Sequence, residues 1–251
     1  MKGFFIAISI YSHIPVPQFK WKDEDMRYSL CFFPFVGVII GALMSCWILI
    51  SEEFGLGKIL VTSVAAALPL IVTGGFHVDG FMDTMDAFHS YRSKEEKIKI
   101  LSDPHIGAFS VIMTIMYYLL FLGVISEVDN VELMLSASGG FVISRIFSAG
   151  LVILLKPAKE NGMLKYFNDT AARIRVLLCL ALELIILNVV LTITVNPIVL
   201  IETAVALLFS IYYKYQCEKE LGGVTGDTAG YFVTVAELLI ICVPVIYKYV
   251  V

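Results

Sequence analysis

Charge is scarce in this chain. Of its 251 residues only 16% are Asp, Glu, Lys or Arg, and 59% are hydrophobic. Soluble domains carry about 25% charged and about 45–50% apolar residues. A mean hydropathy of +0.86 therefore excludes an ordinary soluble domain and fits a polytopic membrane protein. Paired cysteines are missing too. Cys31, Cys46, Cys179, Cys217 and Cys242 form no CxxC pair, and four lie in apolar runs, where free Cys acts as a small hydrophobe. A zinc site and a disulfide framework are thereby excluded. No internal repeat and no low-complexity linker is visible, so residues 1–251 are expected to form one integral-membrane domain. No cleavable leader is expected either. The apolar start is short, and Ser12-His-Ile-Pro-Val-Pro17 follows it in place of a small-residue cleavage site.

Long apolar runs are abundant. A crossing helix needs about 20 mostly apolar residues. Segments 31–50, 58–73, 108–126, 133–155, 176–195, 197–213 and 231–250 are the candidates, which predicts an all-α bundle of about seven spans. Asn196-Pro197 is a turn signal between the fifth and sixth. Residues 4–11 are too short to cross and predict an interfacial or re-entrant helix. Lys and Arg fall in alternate connections: Lys2–Arg27, Arg92–Lys99, Lys156–Arg175 and Lys214–Lys219. The intervening connections hold almost none. The positive-inside tendency then predicts a cytoplasmic N-terminus in a multi-pass plasma-membrane protein. Gly37 and Gly41, and the small stripe Ser136, Gly140, Ser144 and Ser148, read as helix-packing surfaces.

The chemistry concentrates in Gly74-Gly-Phe-His-Val-Asp-Gly-Phe-Met-Asp-Thr-Met-Asp86. On a helix, Asp79, Asp83 and Asp86 share one stripe within about 60°. Like charges at that spacing repel, so the pattern calls for a cation. Mg²⁺ suits it, being held by one or two carboxylates plus substrate phosphates. His77 and Gly80 lie inside the run. Gly80 would weaken the helix and leave room for a phosphate. Asp103-Pro-His-Ile-Gly107 precedes the third span. Asp103 is placed to cap that helix, or else either Asp103 or His105 meets the metal or a phosphate. Gly222-Gly-Val-Thr-Gly-Asp-Thr228 opens the last span. The amides around Gly223 and Gly226 suit an anion, and Asp227 or Thr228 would cap the helix. No Lys-Ser/Thr follows, which excludes a Walker A loop. Arg145 sits mid-span, where a charge is costly and usually functional. It would bind a phosphate or pair with an acid, and Glu237 is placed to face the same site. Three Gly/Asp segments with basic neighbours on one side suit a phosphorylated substrate.

These segments, with Ile14-Pro-Val-Pro17 and Phe33-Pro-Phe-Val-Gly37, run in order over nearly the whole chain and resemble the cobalamin synthase family, the adenosylcobinamide-GDP ribazoletransferases. The resemblance implies a Mg²⁺-dependent transferase of the cytoplasmic membrane. It would join adenosylcobinamide-GDP to α-ribazole or its 5′-phosphate and release GMP. It further implies Asp79, Asp83 and Asp86 as Mg²⁺ ligands, one of them a candidate base. Arg145, Arg92 and His105 become candidate phosphate contacts, and the 222–228 loop a substrate contact. Ala87-Phe-His-Ser-Tyr-Arg92 departs from the glycine-rich run usual in that family. The competing readings are a CDP-alcohol-type phospholipid synthase, whose Ala-Arg after the Asp-Gly is missing behind Asp79-Gly80 here, and a transporter, whose inverted repeat is missing from this chain. The expected partners are the two substrates and the lipid bilayer. No nucleic acid is expected, and a homo-oligomer is compatible with the sequence.

Overall fold

The computed structural model describes residues 2–17 and 20–250. The described residues form twelve α-helices and no strand. In chain order they are α1 (Lys2–Tyr11), α2 (Asp23–Met26), α3 (Phe33–Glu53), α4 (Lys58–Thr73), α5 (Phe76–His89), α6 (Lys94–Ile100), α7 (Ala108–Ser126), α8 (Val131–Leu154), α9 (Met163–Thr170), α10 (Arg173–Thr194), α11 (Val199–Leu221) and α12 (Gly226–Val250). Five of them, α3, α7, α8, α10 and α12, are long and apolar enough to cross a membrane; the bent pair α4–α5 makes six if counted as one span. The seventh expected span is α11. Its 23 residues would reach about 35 Å, but it carries Glu202, Lys214, Glu218, Lys219 and Glu220 and is more polar than the five.

Seven helices, α3, α4, α7, α8, α10, α11 and α12, still run alternately between two ends. At one end the starts of α3 and α10 meet: Arg175 donates to the Tyr28 hydroxyl at 2.7 Å, and the Ala172 amide to the Arg27 carbonyl at 3.2 Å. At the other end Lys248, closing α12, reaches Asp129, just past α7, at 2.6 Å. All four basic connections therefore gather at one end, as the Lys and Arg pattern predicts. α8 is the most buried span and packs on α3, α10, α11 and α12; α10 turns most of its surface outward.

The small residues let backbones meet. A Cβ on Gly37 would lie 2.2 Å from the Phe141 carbonyl oxygen, which fixes the α3–α8 crossing. The α8 stripe likewise meets α12 through Gly140 and α11 through Ser136. Between α4 and α5 the chain turns by 92°. Gly74 and Gly75 make that corner with φ of +63° and +80°, where any other residue would pay about 1–2 kcal/mol. The corner ends α4 and lays α5 across the start of α12. It thus carries the acidic run out of the spans into a separate 14-residue helix.

Candidate active site at the basic end

α5 and α12 touch through glycines. A Cβ on Gly80 would lie 2.7 Å from the Asp227 carbonyl oxygen, and one on Gly230 2.9 Å from that of His77. Gly80 is therefore a helix contact, and it also lines the cleft that the contact forms. The contact brings Asp79 and Asp227 to one cleft. Its other walls include Lys159, Thr225 and Gly226, and its cavity is about 290 Å³. Asp83, half-buried one turn on, feels the same group. Burial, then Asp79, Asp227 and Asp86, push its carboxyl up to about 6, with Lys159 pulling the other way. Asp83 thus senses three other carboxylates and one lysine.

The helical stripe is real, but its members do different things. Asp86 turns to α7, where its two oxygens accept the amides of Gly107 at 2.5 Å and Ser110 at 3.0 Å. A Cβ on Gly107 would lie 2.0 Å from that carboxylate, so any larger residue there must displace it. Asp86, not Asp103, caps α7. Asp103 instead accepts the backbone amide of His105 at 3.0 Å and contacts its ring Nδ1 at 2.6 Å, out on the surface. A carboxylate folded back on its own turn is too far along the chain to cap a helix starting at Ala108. Of the two expected caps of α12, Thr228 takes part and Asp227 does not: Thr225 accepts the Thr228 amide at 3.2 Å and donates its own amide to the Thr228 hydroxyl at 2.9 Å, while Asp227 accepts the Thr225 hydroxyl at 3.3 Å and lines the cleft. Thr225-x-x-Thr228 is the signal that finds this cap in the sequence. Gly223 packs against the carbonyl of Lys156, whereas Gly226 has open space around it and lines the cleft.

The acids fit a hard cation in the chemistry of their donors, since all offer oxygen. Among the described residues, no three His, Cys, Asp or Glu side chains converge tightly enough to enclose an ion unaided.

Comparison with known proteins gives this geometry a context. Residues 3–245 match the family model of cobalamin-5-phosphate synthase. The chain belongs to that family. It is 38% identical over 240 residues to the adenosylcobinamide-GDP ribazoletransferase of Lachnoclostridium phytofermentans, covering 95% of this chain and 91% of the relative. It is 31% identical to that of Clostridium botulinum Alaska E43, covering 95% and 94%. No solved structure matches.

In this cobalamin-5-phosphate synthase family member the cations are not where the sequence directs attention. Arg145 is buried and pairs with Glu237 at 2.6 Å, while donating to the Phe141 carbonyl at 2.7 Å. Of its two expected roles, pairing with an acid is the one observed. Arg92 is exposed and lies 3.5 Å from Glu96, one turn along. Neither Arg92 nor His105 is among the residues walling the cleft. Two lysines line the cleft: Lys165 pairs with Asp169 at 2.6 Å, and Lys159 is the one beside the acids. It donates to Ser102 at 2.9 Å and lies 3.8 Å from Asp227. The sequence marks it only as one of several loop lysines.

Proposed function

We propose that the protein transfers the cobinamide phosphate of adenosylcobinamide-GDP to a ribose hydroxyl of α-ribazole or its 5′-phosphate, releasing GMP. The observation that carries this reading is the 38% identity to a ribazoletransferase across 95% of the chain. The cleft supports it with carboxylates, a lysine and open backbone at Gly226, the groups a pyrophosphate needs. The attacking hydroxyl oxygen forms a new bond to the phosphorus next to cobinamide. The bridging P–O bond breaks, and GMP leaves with the bridging oxygen. Asp79 or Asp83 takes the hydroxyl proton. Lys159 and the Gly226 backbone hold phosphate oxygens. Asp79, Asp83 and Asp227 are the residues that would hold Mg²⁺, which when bound offsets phosphate charge and stabilises the leaving group. Asp86, with both oxygens taken by amides, sets α5 against α7. The basic end faces the cytoplasm in this reading, where both nucleotides are found.

The test is reconstitution. Purified protein in lipid nanodiscs, given Mg²⁺, adenosylcobinamide-GDP and α-ribazole, should release GMP in proportion to cobalamin formed. No GMP, under conditions where a known ribazoletransferase works, would overturn the reading.

A further inference from the structure

We propose that an apolar chamber beside the acidic cleft binds the aromatic base of the acceptor nucleoside. This deepens the functional reading above and rests on it. The chamber is walled by the rings of Tyr11, Phe33, Phe76 and Phe167, with Ala149 among its small residues. It shares Phe76, Met163, Leu164 and Gly226 with the cleft. A nucleoside lying across that shared wall would hold its base in one and present its ribose to the other.

Three observations favour an apolar base there. Tyr11 lies nearly parallel to Phe167, with ring centroids 6.4 Å apart and planes at 23°. A flat ring between two faces needs about 7 Å, two contacts of about 3.5 Å each. The chamber holds about 50 Å³ as it stands, so the base enters as α9, which carries Phe167, moves outward. The lining is also almost wholly apolar. Guanine would strand several hydrogen-bonding groups there at about 1–3 kcal/mol each, whereas a benzimidazole-type base carries only one free ring nitrogen. Finally, one residue of the chamber wall carries a polar atom in need of a partner. His77 is buried, and its Nε2 has no hydrogen bond. Protonated at Nε2, it would donate to that free ring nitrogen.

The experiment separates donor from acceptor. Ala149→Leu fills the chamber from α8, and Phe167→Ala removes one ring face from the short α9. Each should raise the KM for α-ribazole at least tenfold and leave the KM for adenosylcobinamide-GDP within twofold. An unchanged donor KM also reports that the variant folds. Ala149→Leu should tolerate a nucleoside with a smaller aromatic base better than α-ribazole itself. If Ala149→Leu does not fold, Phe167→Ala decides. An acceptor KM within twofold of wild type overturns the proposal. So does a rise confined to the donor KM, which would assign the chamber to guanine or to the corrinoid. Absence of GMP release by the wild type is a different failure and falls on the functional reading itself.

Discussion

Asp83→Asn should stabilise the metal-free protein while abolishing turnover. Burial and the neighbouring carboxylates hold the Asp83 carboxyl up to about 6, against an ordinary 3.8. The folded protein therefore binds this proton more tightly than the unfolded chain does. The stability it contributes is fully present below about pH 4 and lost as pH rises through 6. Two units at 1.36 kcal/mol each give about 3 kcal/mol as a ceiling. Asp83 is only half-buried, and solvent screening brings the figure to roughly 1 kcal/mol. In a chain of this size that is about 2–4 °C in Tm. Thermal unfolding in nanodiscs measures it. In EDTA at pH 8 the Asn variant should melt about 2–4 °C above wild type, and at pH 4 the two should nearly coincide. Saturating Mg²⁺ should reverse the order. At about 100 times its Kd a ligand adds about 2.7 kcal/mol to the protein that binds it, and the variant forfeits most of this. A variant that melts below wild type in EDTA at pH 8 would refute the repulsion argument. One that Mg²⁺ stabilises as much as wild type would remove Asp83 from the cation site.

Gly107→Ala should displace the Asp86 carboxylate and cost about 1–2 kcal/mol, the value of a helix cap, seen as a lower Tm and reduced turnover. Glu237→Leu leaves Arg145 buried without its partner and should cost about 3–5 kcal/mol, whereas Arg145→Met with Glu237→Leu should recover most of that loss in the same melt. Lys159→Ala should raise the donor KM about tenfold through one lost charged contact, while Arg92→Ala stays within twofold; steady-state kinetics on the two variants test the contrast.

The bundle was legible because its signals are local. Apolar runs, the Asn196-Pro197 turn and the alternating Lys and Arg loops each depend on a few neighbouring residues. The Asp79–Asp86 helix was legible for the same reason. What each aspartate does was not. Asp86 acts on amides about twenty residues away, and Asp227 joins Asp79 only because Gly80 and Gly230 let two helices touch. Local spacing also made Asp103 look like the cap of α7. Arg145 drew attention because charge inside a span is rare, yet its partner sits 92 residues later on α12. Lys159 carried no signal at all. It is one basic residue among five in its connection, singled out only when that loop folds over the cleft.

The anchors around the acids follow from the repulsion among them. Carboxylates on α5 and α12 push those helices apart, and the push is greatest when no cation is bound. Three contacts oppose it. The glycine pair keeps the two backbones in contact. Asp86 ties α5 to the amides of α7. Two turns below Gly230, the Arg145–Glu237 pair ties α12 to the central α8. An ion pair in so apolar a setting contributes little net stability, because desolvation offsets its attraction. What it does supply is a single register between α8 and α12, since any slip would leave both charges buried without partners. Register is what the cleft needs. Asp227 lies in the first turn of α12, and a shift of one residue along the axis, about 1.5 Å, would carry it out of range of Asp79. Arg145 thus acts on the site from below, through the position of α12.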